Sequence, residues 1–69
     1  MRLEPKKECD VLMEAYDAKN AMRRTTLGVG HLSAGPFLFR IHEREIHAGL
    51  NVIVATLGGT ESHVHRIER

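Results

Sequence analysis

One stretch near the C-terminus constrains this chain more than any other feature. From Asn51 to Leu57 both alternating sets, Val52/Val54/Thr56 and Ile53/Ala55/Leu57, are mostly apolar. That is the pattern of a strand covered on both sides, not of one facing water. Only 69 residues are present to provide the cover. A domain near 60 residues buries only about 60 per cent of the surface its unfolded chain exposes, and below ~70 to 80 residues a small core usually needs a staple. Cys9 is the single cysteine, so an intrachain disulfide and every paired-cysteine zinc or redox motif are excluded. Each buried Val, Ile or Leu is worth roughly 1.5 to 3 kcal/mol, a large fraction of a marginal stability. A homo-oligomer is therefore expected.

The N-terminal third reads differently. Between Pro5 and Arg24 there is no glycine, and Pro5 stands where a first helical turn tolerates it. At the helical period Cys9, Leu12, Met13 and Tyr16 share one stripe, and Val11, Ala15, Ala18 and Met22 share another nearly opposite. A helix over 5–24 with two apolar faces is expected, one for the chain's own sheet and one for a partner. Arg23 and Arg24 would close it, where cations suit the helix dipole.

After Arg24, Gly28, Gly30, Gly35 and Pro36 punctuate short apolar pieces and β-branched residues replace alanine. Strands are expected over 25–32, 37–43, 51–57 and 61–68, with a turn over 33–36, a turn or short strand over 44–49 and a hairpin loop at Gly58, Gly59 and Thr60. In the second of these strands Phe37, Phe39 and Ile41 would form the core face. The expected fold class is α+β: one domain over 1–69, with an N-terminal helix packed on a small, strongly curved antiparallel sheet of four to five strands. Closure into a barrel is one way for that sheet to curl. In element order alone this resembles Sm-like ring proteins and other small barrels.

Ten Lys and Arg against nine Asp and Glu leave a net charge of +1, so no long-range field gathers a nucleic acid. The opening Arg2, Leu3, Glu4, Pro5, Lys6, Lys7 lacks the apolar run of a secretory signal, and Val52 to Leu57 is too short to span a bilayer. A cytoplasmic protein without a membrane partner is expected.

Histidine is the unusual component, with five in the chain. His63 and His65 lie two apart in an expected strand and project from one face, a spacing that presents two imidazoles to a zinc ion. Further ligands would come from His31, His42, His47, Glu61 or a symmetry mate. His42 and His47 are five apart, whereas the zinc-protease helix requires a spacing of four. The run Gly28 to Gly35 has Ser33 where a dinucleotide fingerprint needs glycine, and no P-loop lysine follows. Its glycines instead allow a bulge, curvature or close backbone approach. Ser33, Ser62 and Cys9 have imidazoles in the chain but no carboxylate placed to orient one, so no enzyme is expected. The leading expectation is a non-enzymatic oligomer that receives an anionic ligand, a nucleotide or short nucleic acid, at subunit junctions lined by Arg40, His42, Arg44, His63, His65 and Arg66. The alternatives are an adaptor or inhibitor docking through a β edge or apolar helix stripe, and a metal-binding protein using His63 and His65.

Overall fold

The computed structural model describes the backbone of all 69 residues and the side chains of all but Ala21 and Glu43. Among the described residues there are six strands, one 3-10 turn at Glu43–Glu45 and no α-helix. The strands are β1 (Arg2–Leu3), β2 (Cys9–Asp17), β3 (Asn20–Leu32), β4 (Phe37–Leu38), β5 (Leu50–Leu57) and β6 (Glu61–Glu68). The main sheet is antiparallel in the order β3-β2-β5-β6, and β1 pairs with β4 in a separate two-stranded sheet. No helix of the described residues is long and apolar enough to cross a membrane.

The expected N-terminal helix is replaced by β2, a turn and the start of β3, which overturns the α+β assignment. The residues Cys9, Val11, Met13 and Ala15 also alternate at period two. Pairing in register with β5, from Val11 opposite Leu57 to Ala15 opposite Ile53, gives that alternation a buried face. The turn uses side chains in place of glycine. Asp17 Oδ1 accepts the Lys19 N–H at 2.9 Å and Asn20 Oδ1 accepts the Met22 N–H at 3.1 Å. Ala18 and Met22, members of the supposed second helix stripe, are exposed. Arg23 and Arg24 run along β3, where they contact Asp17 and Glu14 at 3.7 and 3.6 Å. The apolar helix stripe and the likeness to Sm-like element order fall with the helix.

Two further expectations change. The strand over 37–43 contracts to Phe37–Leu38, both exposed, while Phe39 and Ile41 pack against the core from irregular chain. The sheet does not close into a barrel, because β3 and β6 remain its two separate edges. The C-terminal hairpin forms over the expected residues. Gly58 and Gly59, at φ of 61° and 75°, reverse the chain, and β5 pairs with β6 without a break from Leu57 opposite Glu61 to Leu50 opposite Glu68.

The core occupies one side of the main sheet. Val11, Met13, Ala15, Ile53, Ala55 and Leu57 meet Leu3 of β1, Leu32 at the end of β3 and Ile46 beside the 3-10 turn. Asn51 is fully buried among them and holds the preceding loop. Its Oδ1 accepts the His47 N–H at 2.9 Å, and its Nδ2 donates to the carbonyls of His47 at 2.6 Å and Gly49 at 3.1 Å. The shortest dimension of the molecule is 15 Å. Since packed layers lie about 10 Å apart, this is room for the sheet and one covering layer.

Candidate functional site: an open sheet face and a glycine-floored cavity

The uncovered side of the main sheet is built from three cross-strand rows. Register places Val29, Leu12, Thr56 and Ser62 in one row, and Thr26, Glu14, Val54 and Val64 in the next. Arg24, Tyr16, Val52 and Arg66 make the third. Leu12, Tyr16, Val52 and Val54 are half-buried by their neighbours alone, whereas Val29 is 77% and Val64 54% exposed. Leu50 extends the apolar surface beyond the third row. Charged groups of both signs share this face, beginning with Asp10 opposite His31. Glu14 meets Arg24 at 3.6 Å and accepts the Tyr16 hydroxyl proton at 3.3 Å, while Arg66 and Glu68 lie two residues apart on β6.

Within one copy the six residues expected at subunit junctions lie in separate places. His63 and His65 share a face of β6 as the spacing requires, opposite Ala55 and Ile53 on the core side of the sheet. His63 Nε2 approaches Glu61 Oε1 at 3.4 Å. Arg66 points to the other side, opposite Val52. Arg40 and His42 line an open groove with Phe39, Ile41 and Ile67, and Arg44 is exposed in the 3-10 turn. Among the described residues no three His, Cys, Asp or Glu side chains converge as a metal site. His63 and His65 alone supply half of a tetrahedral zinc shell.

Two features carry little sequence signal. His31, near the end of β3, has Nδ1 at 2.9 Å from Asp10 and Nε2 at 2.6 Å from Glu8. Both ring nitrogens face carboxylates, and the hydrogen bond to Asp10 followed by that to Glu8 raises the His31 pKa above its ordinary value. The second feature is a half-open cavity of about 240 Å³ on the covered side, between β3 and the β1–β4 pair, lined chiefly by Leu3, Val11, Met13, Phe37 and Phe39. Its floor is Gly28 and Gly30. The glycine spacing is visible in sequence, but the cavity depends on which strand lies opposite.

No family model, curated protein or solved structure matches this chain.

Proposed function

We propose that the chain is a non-enzymatic interaction module that works as a symmetric assembly, with a second copy seated on the open face of the main sheet. One observation carries this reading. The central strand β5 buries Asn51, Ile53, Ala55 and Leu57, while Val52, Val54 and Thr56 on its other side have only strand neighbours for cover. The strand pattern asks for two covers and one copy supplies one. The occupant follows from charge. Asp10, Glu14 and Glu68 are interspersed with His31, Arg24 and Arg66 on this surface, so a strongly acidic or basic partner gains little, whereas an identical face brings both signs. Two such sheets pack face to face about 10 Å apart. The lone, free thiol of Cys9 suits the reducing cytoplasm.

Light scattering coupled to size exclusion at micromolar concentration tests the reading. The expected mass is a multiple of 7.8 kDa. Val64→Lys combined with Val29→Lys is expected to reduce it to a single copy. A monomeric wild-type chain, or a mass unmoved by the two lysines, overturns it.

A second reading rests on Arg40 and His42, which share one open groove. A nucleotide held there would bind with an affinity that falls steeply with salt and is lost in Arg40→Ala.

A further inference from the structure

The glycine-floored cavity lies on the opposite side of the main sheet from the open face, so it is independent of self-association. Gly28 stands opposite Met13 and Gly30 opposite Val11, so both positions face the covered side. Side chains there would normally join the core layer. Neither glycine is at positive φ among the described residues, so the backbone conformation does not require them. Packing does not require Gly30 either, since a Cβ at that position meets nothing within 4 Å. At Gly28 a Cβ would sit 3.4 Å from Phe39 Cε2, an ordinary contact. A glycine inside a strand costs roughly 0.5 to 1 kcal/mol relative to alanine. The fold therefore carries two destabilising residues, of which Gly28 seats the Phe39 ring against the strand and Gly30 leaves open space beside it.

We infer that this space is a binding site for a small, uncharged aromatic molecule, about one ring with a short alkyl substituent. Size, charge and wall chemistry each point to that occupant. An apolar cavity of about 150 Å³ accommodates benzene, so 240 Å³ holds one ring and a few more carbons. The lining is dominated by Leu3, Val11, Met13, Leu32 and the two phenylalanines. His31 borders the cavity through its place in β3, but its side chain stands opposite Asp10 on the other side of the sheet and is engaged by Asp10 and Glu8, so it offers no cation to an anionic ligand in the cavity. Phe37 and Phe39 stand at the cavity as aromatic walls, and Phe37 remains 40% exposed at its rim. Rings against such walls gain offset or edge-to-face contacts that an alkyl chain lacks.

The test is a titration of the labelled chain with toluene, followed by amide chemical shifts. Benzylammonium serves as the charged probe of similar shape. Saturable shifts at Leu3, Gly28, Gly30 and Phe37 are expected, with a midpoint on the order of 1 mM for so small a ligand. Benzylammonium is expected to bind at least tenfold more weakly. Gly30→Leu places a side chain in the cavity and is expected to abolish the toluene shifts while raising the melting temperature. Should that variant fail to fold, Gly30→Val supplies the same test with a smaller side chain suited to a strand. Toluene shifts that do not saturate, that persist in the filled variants, or that centre on Val54 and Val64 would overturn the inference. Equal binding of benzylammonium would do so as well. The light-scattering mass is unaffected by any of these outcomes, so the two proposals fail separately.

Discussion

The two sides of the four-stranded sheet are made by the same strands and have opposite fates. On one side Val11, Met13, Ala15, Ile53, Ala55 and Leu57 are sealed by β1, the 3-10 turn and the chain between them. On the other, Leu12, Val52, Val54 and Val64 are nearly as apolar but have only one another, with Glu14, Arg24, Tyr16 and Arg66 among them. The difference teaches that residue type does not separate the buried face from the open one in this sheet. What separates them is the supply of covering chain. The segments outside the main sheet are long enough to roof one face, and they are spent on the side that holds Asn51.

The largest expected effect sets neighbouring residues of β5 against each other. Ile53→Ala is expected to cost about 2 to 5 kcal/mol of unfolding free energy, because Ile53 is completely buried and leaves a cavity. Val54→Ala, measured in a monomeric background carrying Val64→Lys and Val29→Lys, is expected to cost well under half as much. Urea melts of the two would break the comparison if they came out equal.

Next is Asn51. Replacing it by Leu leaves the His47 N–H and the His47 and Gly49 carbonyls without their partner, at a cost of about 1 to 3 kcal/mol. On the other side of β5, Thr56→Val is expected to shift stability by no more than about 0.5 kcal/mol. A similar loss for both would mean that the loop held by Asn51 is not part of the seal.

The smallest effect concerns His31 at the margin of the sheet. Its pKa is raised in the folded chain, chiefly by Asp10 and then by Glu8. The stabilisation is therefore full below the unfolded value of about 6.5 and is lost as pH rises through the higher folded value. The melting temperature of wild type relative to His31→Ala should fall across that window. A difference that is flat, or that grows with pH, would show that the ring is not held as a cation. Because the ring is half exposed to solvent, the effect is expected to be slight and to shrink with added salt.

Several of these features were legible in the linear pattern. The paired glycines at 58 and 59 between two β-rich runs announce the β5–β6 hairpin, and the period of two places His63 and His65 together. Alternation on both sides of β5 announces the demand for two covers. The turn between β2 and β3 was not legible as such, because Asp17 and Asn20 make it with side-chain acceptors and no glycine marks it. Among candidate ligand residues, Arg66 faces away from His63 and His65, because adjacent strand positions face opposite ways. That separation follows from the pleat alone.

The sequence by itself determined that this chain contains one strand apolar in both of its alternating sets, a glycine hairpin after it, and a single cysteine that forms no intrachain disulfide. Only the tertiary structure decided that Cys9 to Asp17 is a strand. Its apolar residues satisfy the helical and the extended period alike, and its Ala, Leu, Met and Glu favour a helix locally. Long-range pairing with β5 on one side and β3 on the other satisfies the backbone hydrogen bonds of the extended form and buries Val11, Met13 and Ala15 together. The same pairing sets Gly28 and Gly30 over the core and leaves Leu12, Val52 and Val54 on the open side, because once register is chosen the pleat assigns every side chain to a face.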